Sequence, residues 1–252
     1  MLHLALALLL ATAGATDKKD ADANRIDLWR DMAQWYIDNH LTEQALEMVS
    51  RLREAGEQSP ELDLIQARVL VAQGVPDEAL HLLEQLVPRM PKDARPLQTL
   101  GVVYSDLGDY EKAIASLRRA IELEPNNAAT HNNLGFLLMG VGRCADATQA
   151  LERATELDSS SGRYRNNLAF ALVCAGEAQR ALKLFRSTGS EADARYNMGL
   201  AYERLGSLPS AILQYQEALV ADERHAGATE AMARLAPLGL LPGTEPAEGA
   251  AP

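Results

Sequence analysis

The side chains able to do acid–base, nucleophilic or metal chemistry are scattered along this chain. The histidines are His3, His40, His81, His131 and His225. None is spaced from another His, Cys or carboxylate in a pattern that suggests a metal, and no metal is expected. There is no P-loop, no G-x-S-x-G and no H-E-x-x-H. Gly140-Val141-Gly142 is only a fragment of a glycine loop, and the many carboxylates are dispersed. The chain therefore reads as non-catalytic and without a cofactor. A different group recurs on a fixed spacing. Asn133, Asn167 and Asn197 are separated by 34 and then 30 residues. An amide side chain is both donor and acceptor. A row of amides can bond the N–H and C=O groups of an extended peptide whatever its side chains are. The chemistry suggested is recognition.

The same spacing runs through the small residues. Gly74, Gly108, Gly142 and Gly176 are each 34 apart, and Gly206 follows after 30. Ala45, Ala79, Ala113, Ala147 and Ala181 repeat at 34, with Ala211 again 30 later. A second small column, Ala67, Gly101, Gly135, Ala169 and Gly199, precedes each of those glycines by seven residues, and Ala33 extends it backwards. A fixed period of this length marks stacked supersecondary units. Each unit reads as two helices. Leu100, Gly101 and Tyr104 share one helix face, Gly108 ends that helix, and Asp109 is placed to cap the next. That helix turns Ala113, Leu117, Ala120 and Ile121 inward and stops before Pro125. One such hairpin cannot bury its own apolar face, so stacking supplies the partner.

The pattern L-G-x-x-Y, then A-x-x-x-L-x-x-A, then P resembles the tetratricopeptide repeat. Residues 94–127 fit it at nearly every signature slot. Residues 128–161 follow, with Ser159 where Pro is usual, and 192–225 fit through Gly199, Tyr202, Gly206, Ala211, Tyr215 and Ala218. Residues 60–93 fit with Gln66 in place of Leu. Residues 162–191 are a unit shortened by four residues around RSTGS. Residues 26–59 are divergent, with His40 in place of glycine. The resemblance implies an all-α fold, a right-handed α-solenoid of about six helical hairpins, closed by a capping helix over 226–238. Residues 16–25 read as a linker and 239–252 as a disordered tail.

The resemblance also implies where a ligand sits, on the face formed by the first helix of each unit. Asn133, Asn167 and Asn197 occupy equivalent slots there, and in some members of the family such a ladder grips a peptide backbone. One turn further on, Phe136, Phe170 and Leu200 form an apolar strip, with Met139, Val173 and Tyr196 nearby. Arg95, Arg163 and Arg204 are placed to receive a carboxylate. They do not reproduce the Lys/Arg–Asn cluster of chaperone-binding members. Asp27, Asp31, Asp38 and Glu61 make the N-terminal end more acidic. Cys144 opens the second helix of one unit and Cys174 ends the first helix of the next. In this stack those helices are antiparallel neighbours, which brings the two within reach of a disulfide.

Composition bounds the partners. The 252 residues carry a net charge of −11, which disfavours nucleic acid. Only the first fifteen residues, MLHLALALLLATAGA, combine an apolar run with an A-x-A ending. They read as a signal peptide cut after Ala15, which gives an exported, periplasmic or extracellular protein with no transmembrane span after cleavage. Without that role for residues 1–15 the protein is cytoplasmic. The functional expectation is an adaptor that binds a partner peptide or helix, in envelope or secretion-linked assembly. The alternative is a spacer or regulatory subunit that binds through its convex or acidic surface.

Overall fold

The computed structural model describes residues 18–236. The expected signal segment 1–15 and tail 239–252 lie outside the described residues. The fold is all-α, and the chain divides into two compact units at Pro125 and Asn126. The first unit holds three helical hairpins: α1 (Lys18–Asp38) with α2 (Thr42–Glu54), α3 (Pro60–Ala72) with α4 (Pro76–Leu86), and α5 (Arg95–Asp106) with α6 (Tyr110–Leu123). The second holds α7 (Ala128–Gly140) with α8 (Cys144–Leu157), α9 (Gly162–Cys174) with α10 (Ala178–Arg186), and α11 (Glu191–Arg204) with α12 (Leu208–Ala221). It ends in α13 (Ala226–Leu235), which packs on α12.

One expectation is corrected at the start. Helix α1 begins at Lys18, so Lys18–Arg25 is helical and not linker. No Gly or Pro interrupts residues 16–39, and Lys, Ala and Arg there favour helix.

The turns explain the glycine column. At the end of α5, Gly108 N–H donates to Ser105 C=O and Asp109 N–H to Tyr104 C=O. That is a Schellman closure, and it needs a left-handed residue; Gly108 has φ +80°. His40 makes the same closure at φ +58°, a conformation uncommon outside glycine. Asp109 does not cap α6 through its side chain. Its carboxylate instead takes the Lys112 ammonium at 2.8 Å.

The second small column sits at helix crossings. A Cβ added to Gly135 would lie 2.4 Å from Leu151 Cγ, and one on Gly199 2.4 Å from Tyr215 Cε1. Ala33, Ala67 and Ala169 fill the equivalent places with no exposure. Polar contacts join neighbouring hairpins. In the first unit, buried Asp63 accepts from both Arg53 and Arg89. In the second, Arg180 of α10 reaches Glu152 of α8 at 2.6 Å.

The four missing residues of the shortened repeat fall in its second helix. Helix α10 has nine residues, whereas α8 and α12 have fourteen. The tight turn after it is fixed by Glu191, whose carboxylate takes Arg186 of α10 and Arg195 of α11. Ser190 and Asp193 add a capping box at the start of α11. The Arg186 and Arg195 guanidinium groups hold the Glu191 carboxyl down at about 2. A lowered folded value means that the contribution is complete above the unfolded carboxyl value and fades as pH falls toward about 2. Glu191 is solvent-exposed, so the gain in global stability is small and the direct readout is the titration. NMR should find Glu191 titrating near 2, and Arg186→Gln should return it toward the ordinary value of about 4.3. Titration of wild-type Glu191 at the ordinary value would show that the two arginines do not hold it.

Candidate functional site

The candidate site lies in the second unit, where the first helices α7, α9 and α11 are neighbours. Spacings of four and then three residues put one side-chain row on each helix. The rows are Asn133 and Phe136 on α7, Arg163, Asn167 and Phe170 on α9, and Asp193, Asn197, Leu200 and Arg204 on α11. Asn133, Asn167 and Asn197 are all partly exposed.

The amides of α7 and α9 are joined through a residue absent from the sequence-based site. Asn167 Nδ2 donates to Asn132 Oδ1 at 2.8 Å, and Asn132 Nδ2 donates to Asn133 Oδ1 at 3.4 Å. Asn132 is 4% exposed, so this bond lies largely out of water and fixes which way the outer amides point. The amide hydrogens of Asn133 and the carbonyl oxygen of Asn167 are not used in these bonds. The signal for Asn132 was the doublet Asn132-Asn133, repeated as Asn166-Asn167. Nothing in the doublet says that only the first pair turns one amide inward; Asn166 is exposed.

The apolar strip is uneven. Phe136 is 55% exposed. Phe170 is half-buried, edge-on to Phe185 at 5.7 Å, with the Arg204 guanidinium 4.8 Å above its ring. Leu200 is half-buried against the cluster of Ile212, Tyr215 and Leu235. Two residues placed near the strip lie elsewhere. Val173 is buried. Tyr196 packs against Tyr215 at 5.8 Å and His225 at 5.0 Å, with Gly227 beneath it. It occupies the slot equivalent to Asn132, which faces the following first helix, so its ring serves the stacking of α13. Met139 is half-buried.

The basic residues also divide. Arg163 is exposed, with its guanidinium 5.2 Å from the Tyr164 ring centroid. Arg95, in the first unit, is already engaged by the Asp93 carboxylate through Nε and Nη2, and that contact raises its pKa while lowering that of Asp93. Of the acidic residues in that unit, Asp27 lies on Arg30 and Asp38 on Arg68. Asp31 and Glu61 are exposed.

Cys144 and Cys174 are joined as a disulfide with Cα atoms 5.5 Å apart. The bridge ties the start of α8 to the end of α9, the helix that carries Asn167 and Phe170. At the far end of α11, Glu203 accepts from Tyr215 Oη at 2.6 Å and from Arg234 of α13. The Arg234 contact and the Tyr215 bond hold the Glu203 carboxyl below its usual range. Among the described residues, no group of three His, Cys, Asp or Glu side chains is placed to hold a metal ion. No helix among them is long and apolar enough to cross a membrane.

Comparison with known families agrees with this architecture. Profiles described as tetratricopeptide repeat match residues 70–119, 132–189 and 175–228, and a TPR repeat profile matches 101–142. Together they run from residue 70 to residue 228, and the chain belongs to the tetratricopeptide repeat superfamily. Solved structures similar to this chain include the following three. MamA is 26% identical with a TM-score of 0.51, over 64% of this chain and 96% of that one. The pilF protein of Pseudomonas aeruginosa is 19% identical with a TM-score of 0.61, over 84% and 99%. YrrB, described as a TPR protein with an unusual peptide-binding site, is 21% identical with a TM-score of 0.56, over 73% and 97%. No curated protein matches the sequence significantly.

Proposed function

We propose that this protein is a non-catalytic interaction adaptor that holds an extended segment of a partner protein across α7, α9 and α11. The observation that carries the reading is the amide relay Asn167–Asn132–Asn133. Its buried central amide orients two outer amides and leaves one donor and one acceptor open beside exposed Phe136. That is the complement of a peptide main chain, with apolar surface for one of its side chains. YrrB has this fold and a peptide-binding site. Among the described residues this face places no nucleophile beside a base. The Cys144–Cys174 bridge supports residence in an oxidising compartment, in keeping with export directed by residues 1–15 and with a role in envelope or secretion-linked assembly.

The test is a pull-down from extract with wild type and the Asn133→Ala, Asn167→Ala, Asn197→Ala triple variant, after circular dichroism has shown equal helix content and melting point. The expected result is a partner enriched by wild type and lost by the variant. Retention of the same partner by both would remove the ladder from function and place binding on another surface, as a spacer or regulatory subunit requires.

A further inference from the structure

We propose that the segment held on this face is acidic, with an apolar side chain laid on Phe136 and separate carboxylates bound by Arg204 and by Arg163. The proposal deepens the peptide-binding reading and rests on it. Most arginines of the second unit already lie on carboxylates, as Arg180 does on Glu152, Arg195 on Glu191 and Arg234 on Glu203. Arg163 and Arg204 have no carboxylate partner among the described residues. Each lies over an aromatic ring instead, at 5.2 and 4.8 Å. Stacking uses the face of a guanidinium and leaves its in-plane N–H groups free for a two-pronged bond to a carboxylate.

Their placement brackets the ladder. On α9, Arg163 is one turn before Asn167, and Arg204 sits over Phe170, one turn after it. A chain crossing Asn167 passes between the two guanidinium groups. Asp193, which takes the place of Arg163 on α11, is occupied by the Ser190 cap and by His225 at 3.3 Å. The face thus keeps two uncompensated cations in a chain whose net charge is −11. That contrast in sign selects an acidic ligand and steers it to this face.

Phe136 supplies the apolar position. Phe136 and Phe170 are equivalent, yet Phe136 is 55% exposed and Phe170 is covered by Arg204. The residue equivalent to Arg204 one repeat earlier is Cys174, which is bound to Cys144. Among the described residues no cation covers Phe136, and its ring is left for the ligand. Packed helices lie about 8–10 Å apart and an extended chain advances about 3.3 Å per residue, so the apolar residue and the acid are about three residues apart.

The test measures fluorescence anisotropy of the full chain with three labelled peptides of about ten residues, enough to cross all three helices. They alternate Leu with Glu, Leu with Gln, and Leu with Lys. The expected result at low salt is that Leu–Glu binds about tenfold tighter than Leu–Gln, with Leu–Lys weakest, and that the preference shrinks as salt screens it. Arg163→Gln and Arg204→Gln should each bring the ratio of Leu–Glu to Leu–Gln affinity toward one, and that ratio, not the Leu–Gln affinity itself, is the readout. Equal binding of Leu–Glu and Leu–Gln, or preference for Leu–Lys, overturns the acidic ligand while leaving peptide binding in place. Leu–Glu binding that ignores both arginine variants places the peptide elsewhere and also overturns it. Failure of all three peptides overturns the extended acidic segment, and the asparagine pull-down then decides separately whether the ladder binds protein at all.

Discussion

Tyr215→Ala should destabilise the second unit by about 3–5 kcal/mol, the range for removing a buried aromatic side chain. Tyr215 has no exposed surface and is the largest fully buried side chain described. Its ring fills the space that Gly199 leaves open, where even one added carbon would come within 2.4 Å. It also supports Tyr196, which holds the first turn of α13. Truncation would open a cavity where α11, α12 and α13 meet, and α11 carries Asn197, Leu200 and Arg204. Tyr215→Phe separates ring from hydroxyl. It removes only the bond to Glu203, which keeps Arg234, and should cost about 1.5–3 kcal/mol, as a hydrogen bond to a charged group does. Burial raises the Tyr215 pKa, with the Glu203 carboxylate adding to the effect. The unfolded phenol ionises near 10, so stability should hold below about pH 10 and decline above it in wild type more than in Tyr215→Phe. Urea unfolding followed by circular dichroism checks all three statements. If Ala costs no more than Phe, the ring does not support this junction.

Loss of the Cys144–Cys174 bridge should lower stability by about 3.5 kcal/mol, from the entropy that a closed loop of about thirty residues removes from the unfolded chain. The bridge joins two hairpins, so its loss also frees the end of α9 relative to α8. The helix row above that end holds the relay from Asn167 to Asn132. Cys144→Ser with Cys174→Ser should therefore shift the denaturation midpoint downward, and reduced wild type should match the double variant. Thiol titration of the native protein should find no free thiol, and two after reduction. Native protein with two free thiols and the same midpoint as the double variant would show that the bridge is not formed.

The two effects have different sources, and so does their legibility. The unit boundaries, the turn glycines and the crossing columns depend on local geometry. Gly108 is needed because its turn requires φ +80°, and Gly135 because Leu151 crosses above it. A constraint met inside one hairpin recurs wherever the hairpin recurs, and so writes itself into the period. The start of α1 is local as well, but its charges resemble those of a solvated linker, and only continuous backbone bonding makes Lys18–Arg25 helix. The shortened repeat was visible as a missing four residues. That they come out of α10, with Glu191 fastening the turn, was not.

The sequence by itself determined the all-α hairpin stack, the three-asparagine row and the neighbouring ends on which the cysteines sit. The first two follow from residue spacing along helices of known pitch, and the third from the resemblance to the tetratricopeptide stack. Only the tertiary structure decided how the side chains on that face are spent. It turned Asn132 inward to join two outer amides, laid Arg204 on Phe170, gave Arg95 to Asp93, sent Tyr196 to the closing helix and left Phe136 open. Each of those outcomes is a competition among rotamers and partners from different helices. Helical spacing sets the face a residue occupies, while the packing of neighbouring helices sets the partner it meets.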